Sequence, residues 1–325
     1  MRHGKRHNVK QLMTQRRTFL IKMAVLAAMP LGWPVGAAQA ATQSFDFSPE
    51  QKGRVRAPQD PEVARSLSGY RFVTPGVFTV AIAPFAPPIA TYSTDARTVV
   101  GSDPDYAQLV ADALGLRLVL VPIAWPDWPL GLASGKYDAV ISNVGVTETR
   151  KQKFDFTTYR LGLHGFFVRS ASTIKSISEP RDIAGLRIIT GSGTIQEHIL
   201  LEWNQQNVAH GLKEATFQYY DDSASERLAL LSGRADAIFD PDGPLSFEAA
   251  TQGQIRQVGT INAGWPGKAD VAIATRKGSG LAPALTAATN GLIRGGQYRA
   301  ALVRWGLQTE AVDRSETNPP GFPDA

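Results

Sequence analysis

Between residues 77 and 307 short β-branched runs alternate with helical patterns, and this rhythm constrains the fold more tightly than composition does: it specifies an α/β chain. Residues 77–83 read as a strand. Residues 105–114 read as a helix with Tyr106, Leu109, Val110, Ala113 and Leu114 on one face and Gly115 in the stop position. Strands follow at 117–123, 138–144 and 165–169, with a short helix ending at Ser134-Gly135. A second unit opens near Ser170, where a turn ending at Gly185 leads to a strand at 186–190, the glycine turn Gly191-Ser192-Gly193-Thr194 and a helix. Strands at 217–220 and 235–240 flank a helix at 225–231, and a strand at 271–275 precedes closing helices at 281–294 and 299–307. The polar, proline-containing stretch after Glu310 is expected to fray. Residues 41–75 lack periodicity and are expected to form an extension without a core of its own.

The first 40 residues are of a different kind. They contain no acid, Arg16 and Arg17 precede Phe19-Leu20, residues 23–35 are mostly apolar, and Ala38-Gln39-Ala40 has the small-x-small pattern of a signal-peptidase site. The apolar run is shorter than the roughly 20 residues that span a bilayer and is broken by Pro30, Gly32 and Pro34, so a cleaved export signal is expected rather than an anchor. The paired arginines before Phe-Leu resemble the twin-arginine signal, although Gln15 stands where Ser or Thr is usual. Cleavage after about Ala40 would leave the mature chain in the periplasm.

That segment also carries the apparent basicity. Seven of the 34 Lys and Arg residues and none of the 29 Asp and Glu lie in it, so the rest holds 34 − 7 = 27 bases against 29 acids, a charge of −2. Such a balance lacks the basic field of a nucleic-acid binder. With no cysteine anywhere, disulfides, thiolate nucleophiles and thiolate metal sites are excluded, and the fold must rely on its core. The length beyond residue 40 fits two lobes better than one.

Few chemistry-bearing motifs are present. Gly135-Lys136 lacks the upstream glycine of a phosphate-binding loop, and no HExxH, GxSxG or EF-hand spacing occurs. His164, His198 and His210 have no local partners at metal-ligand spacing, so no metal or cofactor is expected. The turn at Gly191, Gly193 and Thr194 opens a helix and offers backbone N–H groups to an anion, although a plain tight turn has the same sequence. Arg150, in Val146-Thr147-Glu148-Thr149-Arg150, could grip a carboxylate with two nitrogens, whereas an arginine taken alone is more often a surface ion pair.

Ordered segments give Arg150 its context: Gly135-Lys136-Tyr137-Asp138-Ala139, Val146-Thr147-Glu148-Thr149-Arg150, Phe154-Asp155-Phe156-Thr157 with Tyr159, residues 176–185, the glycine turn, residues 230–237 and Val303-Arg304-Trp305-Gly306. Over residues 77–307 the chain resembles the periplasmic solute-binding proteins of polar amino-acid ABC transporters. The resemblance implies a two-lobed type II periplasmic-binding-protein fold with two crossing hinge strands, near residues 165–170 and 270–276. Lobe one would hold 76–169 and 271–308, lobe two 170–270, and 309–325 would be a tail. It further implies that Arg150 grips the ligand's carboxylate, that backbone amides at Thr194 and Ile195 complete the grip from the other lobe, and that Phe85 and Trp125 wall the cleft. Core packing is the ordinary alternative for either aromatic. Asn143, Gly145 and Thr147 complete the expected contacts.

Departures arise where the family reads an amino group. Ser142, Asn143 and Gly145 replace a serine-rich strand end, and Ala224 replaces an acid, with Asp222 and Glu226 out of register. A second acid could be Asp242 or Asp240. The expected role is therefore capture of a small carboxylate, an amino acid or a derivative of one, by a monomer that serves a membrane ABC permease. Two alternatives use the same fold: an enzyme similar to cyclohexadienyl dehydratase, with Glu148, Asp240 or Asp242 as proton donor, and a lobe that senses its ligand and signals to a membrane partner.

Overall fold

The computed structural model describes residues 45–220 and 222–323, and the expected export signal lies outside them. Its strands are β1 (Val77–Ile82), β2 (Thr91–Tyr92), β3 (Val99–Val100), β4 (Arg117–Pro122), β5 (Ala139–Gly145), β6 (Phe154–Leu161), β7 (Leu163–Arg169), β8 (Arg187–Ile189), β9 (Thr216–Gln218), β10 (Ala237–Pro241), β11 (Ile255–Asn262) and β12 (Asp270–Arg276). Its α-helices are α1 (Pro61–Ser66), α2 (Ser102–Leu114), α3 (Trp128–Ala133), α4 (Glu148–Lys153), α5 (Ile195–Ala209), α6 (Ser223–Leu231), α7 (Asp242–Gln252), α8 (Leu281–Arg294) and α9 (Gln297–Arg304).

Two five-stranded sheets define two lobes. The first runs β4-β1-β5-β12-β6 and the second β11-β7-β10-β8-β9. Each has a parallel trio, β4-β1-β5 or β9-β8-β10, and then an antiparallel strand, β12 or β7, at its side. The lobes also share a local device. Gly135 and Gly233, at φ 76° and 74°, end helices in left-handed turns, and three residues later an aspartate ties the neighbouring strand. Asp138 accepts the Val73 and Thr79 N–H groups at 2.9 Å, and Asp236 accepts that of Arg187 at 2.9 Å. These two repeated segments carry much of the sequence's family likeness, yet their acids are structural.

The crossing lies earlier than residues 165–170. Strand β6 pairs in the first sheet and β7 in the second, so the chain changes lobe at Gly162, which a short polar run before it, Thr157-Thr158-Tyr159-Arg160, had concealed. The return connection, residues 263–269, packs directly on it: Ala263 N donates to Gly162 O at 2.9 Å, and a side chain at Gly162 would overlap Ala269 O and the Ala263 Cβ. Strand β12 lies wholly in the first sheet, so it follows the second crossing rather than forming it.

Both ends of the described residues are built into this body. Residues 45–75 join the first lobe: Val63 and Leu67 enter its core, Asp60 caps α1, and Arg54 pairs at 2.6 Å with the fully buried Asp105. Phe45 stacks on Trp305 at 5.9 Å and meets Phe247 of α7, in the second lobe, edge-on at 5.0 Å. The tail does not fray as far as residue 323. It bridges Thr157 at Thr317 and Thr147 at Phe322, buries Ser315, and inserts Phe322 into the second lobe's core beside Ile195 and Ile199. Backbone groups of these irregular residues are satisfied by the first lobe, which explains how a stretch without periodicity can be ordered.

Candidate functional site

A cleft of about 820 Å3 lies between the lobes, lined from the first by residues around Phe85, Trp125, Asn143 and Arg150 and from the second by residues around Thr194, Glu226 and Asp240. Arg150 sits in the first turns of α4, where Thr147 Oγ1 caps the helix by accepting the Arg150 N–H at 3.1 Å. The guanidinium donates to Gly145 O at 2.9 Å and, across the cleft, to Gly193 O at 3.4 Å. Its Cζ lies 5.8 Å from the Trp125 ring centre and 5.7 Å from that of Trp128. Two indole faces therefore hold a permanently charged group at the cleft wall.

Opposite it, the loop after β8 turns at Gly193 (φ 68°) into α5. Thr194 Oγ1 caps α5 by accepting the Glu197 N–H, while Glu197 accepts the Gly193 N–H at 2.6 Å. The N–H groups of Ile195 and Gln196 open the helix and have no intrahelical acceptor, which suits them to an anion. The lobes touch here: a side chain at Gly145 would overlap Ile195 Cδ1. Glycine at 145 lets the two walls close.

Of the expected contacts, Phe85, Trp125, Asn143, Gly145, Arg150, Thr194, Ile195 and Asp242 all line this one cleft. Thr147 does not; it is buried and spent on capping α4. Glu148 is also outside the lining, paired with Lys151 at 3.0 Å and accepting the Gly321 N–H at 2.7 Å, which removes it as a proton donor to a bound molecule. Asp240 and Asp242 both reach the cleft. Asp242 is held by Ser246 and Gln257, whereas Asp240 accepts from Gln196 at 3.0 Å. The two acids that seemed out of register, Asp222 and Glu226, reach it as well, because α6 starts at Ser223 under an Asp222 cap and turns Glu226 inward.

Several residues had no sequence signal. Trp128 is one. Arg160 and Glu310 form an ion pair in the cleft floor, with side chains only 3% and 5% exposed, and Arg160 also donates to Asn143 Oδ1. Asn143 takes a left-handed backbone (φ 52°) and donates its N–H to the buried Asp103 at 2.9 Å. Asp103 in turn accepts from Tyr159. A chain of buried groups thus fixes one cleft residue through contacts 17 and 40 positions away.

The electrostatics divide the cleft. The second lobe brings Asp222, Glu226, Asp240 and Asp242 to its wall. Burial, and then the nearby Glu226 charge, pushes Asp240 up to about 8; burial likewise raises Glu226 to about 7, against the pull of Arg227. An arginine faces an acidic wall, the arrangement that a molecule with an anionic end and a donor-rich body would neutralise.

Comparison with known proteins places this geometry. The model of a family described as bacterial extracellular solute-binding proteins, family 3, matches residues 78–308. The chain is 32% identical over 166 residues to the L-cystine-binding protein TcyJ of Escherichia coli (strain K12), covering 50% of this chain and 58% of that relative, so it spans little more than half of TcyJ. It is 27% identical over 249 residues to the arginine-binding protein ArgT of Corynebacterium glutamicum, covering 75% and 78%. A cyclohexadienyl dehydratase of Pseudomonas aeruginosa is 26% identical over 170 residues, covering 52% and 60%. Among solved structures, an ancestral arginine-binding protein bound to arginine superposes with a TM-score of 0.61 at 24% identity, over 71% of this chain and 98% of that one, a likeness of fold.

Proposed function

The chain belongs to the bacterial extracellular solute-binding proteins of family 3, and from that premise we propose that it captures a small carboxylate-bearing ligand, an amino acid or a derivative, in the inter-lobe cleft and delivers it to a membrane ABC permease. The observation that carries this reading is Arg150. Its guanidinium stands on two indole faces and points at the first turn of α5, so a carboxylate between them would meet a charge from one lobe and backbone N–H groups from the other. A ligand held by both walls favours the closed arrangement by the difference in its affinity for closed and open forms, and closure is the signal that a permease would read. In this account the protein is exported, its first 40 residues are removed as a signal peptide, and it acts in the periplasm as a monomer without cofactor or metal.

A second reading has one observation in its favour. Asp240, half-buried in the cleft wall and raised to about 8, is a carboxylic acid at neutral pH and could protonate a leaving hydroxyl, the step that a dehydratase needs. The binding role is preferred because the same acid is engaged by Gln196 and stands among three other acids that suit a donor-bearing ligand. Incubating the purified protein with prephenate and arogenate decides between them. The proposal expects both to be recovered unchanged, and turnover that Asp240→Asn abolishes would replace it with the enzymatic reading.

A further inference from the structure

We infer that His164 is a specificity-determining residue of the cleft, accepting a hydrogen bond from a nitrogen-bearing group at the end of the ligand remote from its carboxylate. The inference rests on the amino-acid-like ligand argued above and names the class of side chain that the cleft takes.

His164 is the second residue of β7, two positions past the lobe crossing at Gly162, and it lines the cleft floor. It pairs with Pro241 of β10 on one side and Ile261 of β11 on the other. The residue is 6% exposed, and its ring meets Phe239 edge-on at 5.7 Å. Neither ring nitrogen has a hydrogen-bond partner among the described residues, although the Leu163 carbonyl weakly favours its charged form. Buried polar atoms are nearly always satisfied; both nitrogens are shielded from the cleft as it stands, so a ligand would complete them through a turn of the ring.

The character of that completion follows from charge and environment. Burial holds the imidazole down to about 3, so at neutral pH it is uncharged and carries one donor and one acceptor. Around it the second lobe offers carboxyl groups at Asp240, Asp242 and Glu226, and the nearby cations Arg160 and Arg227 are engaged by Glu310 and Glu248. A cationic end, an amine or a guanidinium, would favour the ionised forms of Asp240 and Glu226, and a carboxamide would donate to their carbonyl oxygens, so the wall selects a ligand end that donates. A hydrocarbon end would leave the imidazole without a partner, whereas a second carboxylate would face the carboxyl groups directly. Arg150 and the α5 N-terminus would then read the anionic end, and His164 with the acids the other.

Calorimetric titration of the mature protein, stripped of its occupant by unfolding and refolding, with L-arginine, L-glutamine and L-leucine tests the inference. The wild type should bind arginine or glutamine at least ~10-fold more tightly than leucine. His164→Leu, with an unchanged melting temperature, should lose ~10-fold or more for the nitrogen-bearing probes and little for leucine, and His164→Gln should recover part of that loss. A folded His164→Leu protein with unchanged selectivity would overturn the inference. If Arg150→Ala nonetheless abolished binding in that case, the proposed function would stand without it, whereas a wild type that bound none of the probes would overturn the inference and leave the proposed function to be judged by the molecule the protein releases. Should His164→Leu fail to fold, the imidazole nitrogen resonances of histidine-labelled wild type give the answer. Those of His164 should shift when the bound probe is added, and resonances unmoved at saturation would overturn the assignment.

Discussion

Arg150, rooted in the first lobe, donates a hydrogen bond at 3.4 Å to the carbonyl of Gly193 in the second, so a single side chain touches both walls of the cleft. A carboxylate bound beside it would share that guanidinium with the two carbonyls. Arg150→Ala should weaken ligand binding by about 2–5 kcal/mol, since the buried carboxylate loses its charged partner. Arg150→Lys should recover only a fraction, because an ammonium cannot present two parallel donors or lie flat on Trp125 and Trp128. Calorimetry with whichever amino acid binds most tightly checks both, and a fully competent Arg150→Ala protein would remove Arg150 from the site.

The Arg160–Glu310 pair is buried on both sides. Removing one partner strands the other charge, so Glu310→Ala should destabilise the protein by about 3–5 kcal/mol in chemical denaturation. The paired replacement Arg160→Met with Glu310→Leu should cost much less. Equal losses from the single and double replacements would show that the ion pair is not what the site conserves energetically.

The acidic wall predicts a pH dependence. Asp240 and Glu226 ionise near 4 in the unfolded chain but are pushed up to about 8 and about 7 in the fold. Between those limits the folded state keeps protons that the unfolded state has lost. Stability from this source is complete below the unfolded values and is lost as pH rises through the folded ones. His164 works in the opposite sense but only below its ordinary value near 6.5, because burial holds it neutral. From pH 7 to 8.5 the melting temperature of ligand-free protein should therefore fall, and Asp240→Asn should flatten the slope. A melting temperature that climbs over this interval would contradict the assignment.

The two ends of the described residues span the lobes through aromatic rings. Phe322 enters the second lobe's core while its backbone bonds Val146 and Glu148 of the first, and Phe45 reaches Phe247 of α7. If they form only when the lobes approach, both contacts stabilise the closed arrangement. Phe322→Ala and Phe247→Ala should each speed ligand release by ~3–10-fold, with association little changed. Stopped-flow measurement of release reads this directly, and unaltered release would mean that the contacts persist when the lobes part.

What the sequence made legible is what depends on local pattern. Helix α8 was bounded at Leu281 and Arg294 because its apolar residues recur on one face, and most strands of the parallel trios were found because their runs are β-branched or apolar. Strand β11 went unseen because it is an edge whose buried positions, Ile255, Val258 and Ile261, are three apart across a bulge at Gln257–Gly259 rather than alternating. The order of the tail was not legible because polar, proline-containing backbone gains order only from a partner surface. At the site, Arg150 and the glycine turn announced themselves by motif. Glu226, His164 and the Arg160–Glu310 pair did not, since their meeting depends on the angle of α6 and on the lobe crossing, neither of which has a local signature.

The most direct test of the central claim is to denature the purified mature protein and identify by mass spectrometry the small molecule it releases, then add that molecule back in a thermal-shift assay. The account predicts an intact amino acid or amino-acid derivative that raises the melting temperature of the stripped wild type and not that of Arg150→Ala. Release of a molecule without a carboxylate, or a carboxylate whose effect is the same in both proteins, would contradict it.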